Sequence, residues 1–430
     1  MIWLLLVILA ILVLLEMPIA FALPTSAFLY LLIADTVPIM LVAQRIASGL
    51  ESYVLLAIPL FIFAGNLFNS AGIASRIFDF AIALVGHIRG SLGHVNVVAS
   101  VIFSGMSGIA QADAAGLGAV EVREMKRYGF SAEFSAAITA VSSIIGPIIP
   151  PSGIMIIYSY VMGESVAALF LAGVVPGVLV GLGLMLITWI MANRHDFPVA
   201  TKKSSWFERG NASLKAFFPL LTPVIILGGI LGGIFTPTEA SAVAVAYSLI
   251  VSLLILKSMK IKDLPKVLTE AAMTSSVVLL LVGAAMAFKT VVSLSHTPEI
   301  MAEWILSLSS NPLILLFLIN LLLFLVGMFL DAGPAIIILA PILGPIFLDL
   351  GVHPVHFAII MSVNLTVGLA TPPMGLVLFV ASSVSGERIE SISRSILPFL
   401  AVEVIVIFMI TYIPAVSLAV PRFFGFISGG

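Results

Sequence analysis

The chain has little charge and no cysteine. Only 9% of its 430 residues are charged, against roughly 25% in soluble domains, while 61% are hydrophobic and the mean hydropathy is +1.24. Without cysteine there are no disulfides, thiolate metal sites or cysteine nucleophiles, and six scattered histidines do not suggest a multi-histidine metal cluster. No GxxxxGK[ST] phosphate loop occurs, so we exclude an ATPase or a kinase.

Apolar runs recur from Met1 to Phe426, and many approach the roughly 20 residues that a helix needs to cross a bilayer. We therefore predict an all-α polytopic membrane protein with no room for a soluble catalytic domain. Most of its 19 Lys and Arg fall into short clusters, which mark cytoplasmic loops and place both termini on the periplasmic side. The clusters are Arg76 and Arg89; Arg123, Lys126 and Arg127; Arg194 to Lys215; Lys257 to Lys266; and Arg388 and Arg394.

A shift of 222 residues aligns the chain with itself at glycines and prolines. These residues fix unusual backbone geometry, so their repetition indicates duplicated breaks in helices and not mere hydrophobicity. The aligned pairs are Gly105-Met106 with Gly327-Met328, Gly129 with Gly351, Gly146 with Gly368, Pro150-Pro151-x-Gly153 with Pro372-Pro373-x-Gly375, and Pro176 with Pro398.

Equivalent loops of the two copies carry opposite charge signatures. Arg123, Lys126 and Arg127 align with a segment around 347–349 that has no base, which predicts two copies inserted upside down relative to each other. Inverted repeats with interrupted helices are a recurrent construction of secondary transporters. We divide the chain into scaffold helices (1–49), repeat 1 (50–192), a cytoplasmic loop with further scaffold helices (193–265) and repeat 2 (266–426).

Each repeat contains a pair of short apolar stretches. In repeat 1, Leu92–Phe103 and Ile109–Val120 each have 12 residues, about 18 Å of helix against a roughly 30 Å core. We predict re-entrant helical hairpins over 90–121 and 312–348, the first with its tip at Gly105–Gly108.

A helix broken by Pro-Pro follows each hairpin, over 131–166 and 354–385. Two prolines remove amide donors, so carbonyls about one turn earlier lose their partners. In a bilayer such carbonyls need protein, water or an ion. The carbonyls of Gly146 and Gly368, with the hydroxyls of Ser104, Ser107 and Thr371, would suit a hard monovalent cation, and the half-helix N-termini would suit an anionic substrate.

These motifs resemble those of the large permease subunit of the tripartite ATP-independent periplasmic (TRAP) transporters, along essentially the whole chain. The resemblance implies sodium-coupled import of a carboxylate solute, of the sialic acid or C4-dicarboxylate type, across the bacterial inner membrane by an elevator movement. It also implies a small four-helix permease subunit and a periplasmic substrate-binding protein as partners. The motifs are Ser104-Gly-Met-Ser-Gly-Ile-Ala-Gln-Ala-Asp113, Ile145-Gly-Pro-Ile-Ile-Pro-Pro-Ser152, Gly327-Met-Phe-Leu-Asp331 and Gly368-Leu-Ala-Thr-Pro-Pro-Met374.

Carried onto this chain, the resemblance implies two sodium sites and a substrate path. Sodium site 1 comprises Ser104, Ser107, Gly146 and Pro150, and sodium site 2 comprises Gly327, Gly368, Thr371 and Met374. The substrate path comprises Ser107, Ser152, Asp331 and Asp113. For the two aspartates, helix capping is the alternative. We expect no cofactor besides Na⁺ and no nucleic-acid partner.

Two other classes of function remain as alternatives. A passive anion channel could use the same re-entrant helices. An intramembrane serine protease could use the G-x-S-G pattern Gly105-Met-Ser107-Gly108, a weak four-residue match that needs a base within hydrogen-bond reach. The paired Pro-Pro breaks favour alternating access over both, so we predict a transporter and not an enzyme.

Overall fold

The computed structural model describes residues 2–35, 37–194, 197–198, 204–295, 297–309 and 311–427. The basic residues Lys202 and Lys203 of the predicted cytoplasmic loop lie outside these ranges. All regular secondary structure within them is helical. Eight described segments are long and apolar enough to cross a membrane: Tyr53–Ser70, Val166–Arg194, Trp206–Leu231, Pro237–Ile255, Ile261–Leu294, Pro312–Phe329, Ala332–Asp349 and Ile389–Tyr412.

The helices Met40–Leu50, Val166–Arg194 and Leu264–Leu294 cross the boundaries between the four predicted segments. The first segment holds α1 (Ile2–Leu14), α2 (Ile19–Ala34) and α3 (Met40–Leu50). Residues 50–192 give α4 (Ala57–Ser70), α5 (Ile73–Val85), α6 (Ser91–Ser107), α7 (Ala110–Arg127), α8 (Ala132–Ser143), α9 (Gly153–Met162) and most of α10 (Val166–Arg194). The connection holds α11 (Trp206–Leu231) and α12 (Pro237–Leu249), and the rest holds α13 (Leu264–Leu294), α14 (Thr297–Leu308), α15 (Pro312–Phe329), α16 (Ala332–Asp349), α17 (Pro354–Gly368), α18 (Leu376–Ser385), α19 (Ile389–Tyr412) and α20 (Ala415–Phe423).

The hairpin arms are longer than the sequence predicts. Helix α6 continues through Ser104 and ends at Ser107, and its C-cap Gly108 has a φ of +68°, which glycine readily adopts. Helix α7 continues past position 121 to Arg127. The arms have 17 and 18 residues instead of 12, or about 26–27 Å of helix. The bend therefore lies at Gly108–Ile109 and not over Gly105–Gly108.

Each Pro-Pro motif coincides with a gap between two helices. Helix α8 ends at Ser143 and α9 begins at Gly153, and Pro150-Pro151 lies between them. In the second copy, Pro372-Pro373 lies between α17 and α18. Both Pro-Pro peptide bonds are cis. Because proline has no amide hydrogen, the helical hydrogen-bond ladder stops here.

The two repeats pack crosswise. Helix α7, the second arm of hairpin 1, packs against α8 of its own repeat and against α18 of the other. Helix α16, the second arm of hairpin 2, packs against α17 and likewise against α9. Helix α13 packs against α2, α3, α4 and α16, and thereby joins the N-terminal helices to the second hairpin. The half-helix after each break is thus held by the hairpin of the opposite repeat.

Candidate functional site

A cavity of about 320 Å³, here the central cavity, lies where the two hairpin bends meet. Its size is within the range of small-molecule sites. Hairpin 1 contributes Ser107–Gln111, and hairpin 2 contributes Asp331–Pro334. Apolar side chains make up most of the remaining wall. The other lining residues are Pro147, Pro151, Gly153, Ile154 and Ile157 of the first break and α9; Ile58, Phe61 and Ile62 of α4; Thr274, Val277, Val278 and Leu281 of α13; and Leu369.

Three helices begin at the wall of the central cavity. The first residues of α7, α9 and α16 all belong to its lining, from Ala110, Gly153 and Ala332. The N-terminus of a helix has amide groups without intrahelical partners and carries a partial positive charge. The cavity is therefore electrostatically suited to an anion although no basic side chain is among its lining residues.

Asp331 is the only lining residue with a charged side chain, and it meets Gln111 of the other hairpin. The amide Nε2 of Gln111 donates to Asp331 Oδ2 at 3.3 Å. Asp331 occupies the N-cap position of α16, which is the place that the capping alternative predicts. This single contact joins the bends of both hairpins across the cavity.

The first hairpin bend lies directly against the first break. A Cβ atom placed on Gly108 would lie 2.3 Å from the Pro151 carbonyl oxygen, and one on Gly105 would lie 3.9 Å from the Pro150 carbonyl oxygen. Only glycine allows this approach at position 108, where φ is also positive. The structure thus places the bend of hairpin 1 against Pro150, one of the residues predicted for sodium site 1.

Asp113 lies at this break and is absent from the cavity lining that contains Asp331. Its side chain is 2% exposed, and neither carboxylate oxygen has a hydrogen-bond partner among the described residues. A Cβ atom on Gly146 would lie 2.3 Å from Asp113 Oδ2, so the carboxylate rests on the broken backbone itself. The sequence analysis predicted Asp113 on the substrate path; in the structure it lies at the first break, outside the lining of the central cavity.

In the second repeat, hairpin and break are also in backbone contact. A Cβ atom on Gly368 would lie 2.4 Å from the carbonyl carbon of Gly327. The amide of Gly375 donates to the Met328 carbonyl oxygen at 3.1 Å. The hydroxyl of Thr371 donates to the Val367 carbonyl oxygen at 2.8 Å. The residues predicted for sodium site 2 therefore offer uncharged oxygens, and Met374 beside them is 46% exposed.

The three predicted serines have different surroundings. The hydroxyl of Ser104 donates to the Val101 carbonyl oxygen at 2.6 Å, inside its own helix. Ser107 lines the central cavity. Its hydroxyl contacts its neighbour Ile109 at 3.4–3.5 Å and also lies near the Asp113 carboxylate. Ser152 is fully buried and does not line the cavity. Its hydroxyl accepts from Met155 N at 3.4 Å and donates to the Pro147 carbonyl oxygen, so it caps α9.

Sequence reasoning missed two kinds of residue. Gln111 lies inside a quoted motif, but only the fold places it opposite Asp331. Two lysines cap the C-terminal ends of the helices that follow the breaks. Lys126 donates to the Ser385 carbonyl oxygen of α18 at 3.1 Å, and Lys289 donates to the Val161 carbonyl oxygen of α9. A cation at the C-terminus of α18 or α9 stabilises the helix dipole. The isolated Lys289 near the end of an apolar run was the available signal, whereas Lys126 lies in a basic cluster with Arg123 and Arg127.

A cavity inside a bundle of membrane-length helices, enclosed by two hairpins and several helix N-termini, is typical of a solute transporter. The model of the tripartite ATP-independent periplasmic transporter family, DctM component, matches residues 6–416, and the chain belongs to that family. It is therefore a multi-pass transporter subunit and not an enzyme.

Named relatives support this assignment. The chain is 40% identical to the sialic acid TRAP transporter large permease protein SiaM of Vibrio cholerae, over 95% of each chain. It is also 40% identical to the C4-dicarboxylate TRAP transporter large permease protein DctM of Pseudomonas aeruginosa, over 89% of this chain and 90% of that one. Among solved structures, the YdaH transporter of Alcanivorax borkumensis has a similar fold, with a TM-score of 0.59 and 16% identity over 90% of this chain and 88% of that one.

Proposed function

We propose that the chain is the large permease subunit of a sodium-coupled importer of carboxylate solutes in the bacterial inner membrane. The observation that carries this proposal is the convergence of three helix N-termini on one cavity whose hairpin walls touch both Pro-Pro breaks. Oriented N-termini attract a carboxylate without a basic side chain. Broken backbone at membrane depth provides oxygen ligands for a hard cation.

The solute belongs to the carboxylates that related permeases are named for, sialic acid and C4-dicarboxylates. In the proposed arrangement its carboxylate lies at the N-termini of α7, α9 and α16, and its other polar groups meet Ser107, Gln111 and Asp331. Ser152 acts indirectly, because its hydroxyl holds the start of α9 in place. A periplasmic binding protein delivers the solute, and a small four-helix subunit completes the complex.

The two sodium sites differ in their ligands. For sodium site 1 we add Asp113 to Ser104, Ser107, Gly146 and Pro150, because its carboxylate lies against Gly146 without a hydrogen-bond partner. A buried uncompensated carboxylate is costly, and a bound cation offsets that cost. Sodium site 2 keeps Gly327, Gly368, Thr371 and Met374, and its ligands are carbonyl and hydroxyl oxygens.

Ion and solute binding are coupled because each hairpin bend contacts both an ion site and the cavity. Sodium draws the bend onto its break and completes the cavity, so sodium raises solute affinity and solute raises sodium affinity by the same factor. The loaded hairpin domain then crosses the membrane by an elevator movement against the scaffold helices. Each net positive charge imported at 100 mV supplies about 2.3 kcal/mol, so two or more sodium ions per carboxylate support accumulation.

Thermal unfolding of the purified protein in detergent tests the sodium sites directly. Sodium replaces choline at constant ionic strength, and we expect a saturable rise in Tm because the folded state binds the ion. Thr371→Ala is expected to weaken this rise. Thr188→Ala is the matched control, because Thr188 is also buried and donates to a carbonyl four residues earlier, but away from the breaks. Equal sodium responses in wild type and Thr371→Ala would contradict the placement of sodium site 2.

A further inference from the structure

A second group of buried polar side chains lies between α6, α7 and α8, apart from the cavity and the breaks. The Asn96–Glu121 cluster comprises Asn96, Ser100, Glu121, Thr139 and Ser142, each at most 2% exposed. Asn96 Nδ2 donates to Glu121 Oε2 at 2.8 Å and to Thr139 Oγ1 at 2.7 Å. Ser142 Oγ donates to Asn96 Oδ1 at 2.6 Å, and Ser100 Oγ donates to Ser142 Oγ at 3.0 Å.

The hydrogen bonds of the cluster run from Ser100 through Ser142 to Asn96, which donates to both Glu121 and Thr139. Oε1 of Glu121 has no hydrogen-bond partner among the described residues, and Oε2 accepts only an uncharged amide. No ion pair in the described part of the chain involves this carboxylate. Because an isolated carboxylate is costly to bury, we expect Glu121 to bind a cation or a proton during part of the transport cycle.

The ligands of the cluster suit a proton better than a metal ion. A hard cation takes several oxygen ligands, whereas Asn96 presents N–H groups to Glu121 and uses its own oxygen for Ser142. A proton needs one carboxylate oxygen. Rotation of the Asn96 amide by half a turn would then let the protonated acid donate to Asn96 Oδ1, so the cluster has a hydrogen-bonded arrangement for either protonation state.

We propose that Glu121 is a proton-binding site whose occupancy opposes sodium binding at the first break. Asp113 lies eight residues earlier on α7, about 12 Å along the helix, and both side chains belong to its buried face. Sodium beside Asp113 adds positive charge near Glu121 and disfavours the proton there, because like charges repel. By linkage, a proton on Glu121 lowers sodium affinity by the same factor. This opposition depends on the proposed sodium site 1, whereas the proton site itself does not.

Few other ionisable groups lie on the helices that pack against α7. The helices packed against α7 are α5, α6, α8 and α18, and residues 376–385 of α18 contain no ionisable side chain. His94 of α6 contacts the Arg89 carbonyl oxygen at 3.1 Å. The remaining groups on these elements are Arg76 and Asp79 of α5 and Glu133 of α8. A variant of Glu121 itself is therefore needed to distinguish its titration from the titration of these neighbouring groups.

Infrared difference spectra between acidic and alkaline buffer test the proton site without sodium. We expect wild type to show the carbonyl band of a protonated carboxylic acid that appears on acidification, and Glu121→Gln to lack that component. Glutamine has the shape of the protonated acid and can keep the Asn96 bond, so the variant is expected to fold. Glu124→Gln is the matched control, one turn away on the same helix and paired with Arg127. Identical bands in wild type and Glu121→Gln would overturn the proton site.

Sodium titrations at the two pH values test the opposition between the ions. In wild type and Glu124→Gln, the half-saturating sodium concentration for the Tm shift should fall about fivefold or more from acidic to alkaline buffer. In Glu121→Gln sodium should still stabilise the protein, with a half-saturating concentration that no longer depends on pH. An unchanged pH dependence in this variant would overturn the opposition. Absence of any sodium effect in wild type would contradict the proposed function and the opposition, while the infrared band still decides the proton site.

Discussion

The two predicted repeats have a similar arrangement of hairpin and break, but they differ in the side chains at their breaks. Both have a hairpin bend in contact with a Pro-Pro segment, and both segments separate two short helices. In repeat 1 the carboxylate of Asp113 lies against Gly146, whereas the position 222 residues later is the apolar Ala335. The duplicated glycines and prolines preserve the shape of the break. In the proposed function, the side chains around them decide how strongly each sodium site binds.

The largest expected effect is a loss of stability when Gly375 is replaced, a loss that its counterpart Gly153 should not show. A Cβ atom on Gly153 meets nothing within 4 Å, but one on Gly375 would lie 2.7–2.9 Å from backbone atoms of Thr371 and Leu369. Gly375→Ala should therefore cost about 1–3 kcal/mol of stability or more, and Gly153→Ala should leave stability nearly unchanged. Thermal unfolding of the two variants checks this, and equal losses would mean that the breaks do not differ as described.

The second effect concerns the charge in repeat 1. Asp113→Asn removes a buried carboxylate without hydrogen-bond partners, so the variant should be more stable than wild type in choline. In sodium it should gain less, and its half-saturating sodium concentration should rise about tenfold or more. Measurements of Tm in choline and across a range of sodium concentrations check both expectations, the higher stability in choline and the weaker response to sodium. A variant less stable than wild type in choline would show that Asp113 is structural.

A smaller effect is expected for the lysines that end the half-helices. Lys126→Met removes a cation from the C-terminus of α18, and Lys289→Met removes one from the C-terminus of α9. Methionine keeps much of the apolar stem, so each variant should lose about 0.3–2 kcal/mol, the range for a charge at a helix end. Hydrogen exchange of the half-helix backbone reports this locally. Unchanged protection in both half-helices would argue against the caps.

The smallest effect concerns the N-caps of the helices before the breaks. Ser131 caps α8, and His353, 222 positions later, accepts from Val355 N at 3.2 Å and caps α17. Burial and the nearby Arg422 lower the pKa of His353. As the pH falls, His353 therefore binds a proton in the unfolded chain before it does so in the folded protein. The folded protein loses stability as the pH falls below about 6.5, because protonation favours the unfolded chain.

His353→Ser should reduce that acid-induced loss by less than about 1 kcal/mol, because the imidazole is partly exposed. The measurement is Tm against pH for the variant and for wild type. Superimposable profiles would show that another group is responsible for the acid sensitivity.

The sequence predicted the features that depend on glycine, proline and charge. Pro150-Pro151 and Pro372-Pro373 lie between helices because proline lacks an amide, and the motifs around them pointed to the family that the whole-chain match shows. The hairpin lengths were wrong because Gly105 was taken to end the helix. In the fold it packs against Pro223 and stays helical, since close packing favours a residue without a side chain there.

Contacts between distant segments were beyond sequence reasoning. Nothing local indicates that Gln111 meets Asp331, that Asp113 turns from the cavity to Gly146, or that Asn96 joins Glu121 to Thr139. Each contact depends on how the hairpins dock on the breaks. The roles of the sodium-site residues and the elevator movement stay predictions.

Solute uptake into proteoliposomes tests the central claim most directly. The chain is reconstituted with its small subunit, the binding protein is added outside, and labelled sialic acid and succinate are the probes. We expect saturable uptake of one probe above its equilibrium level with an inward sodium gradient, faster with a negative interior, and none with potassium or choline outside. Uptake that does not saturate, stops at equilibrium and proceeds equally without sodium would identify a passive channel and contradict the account.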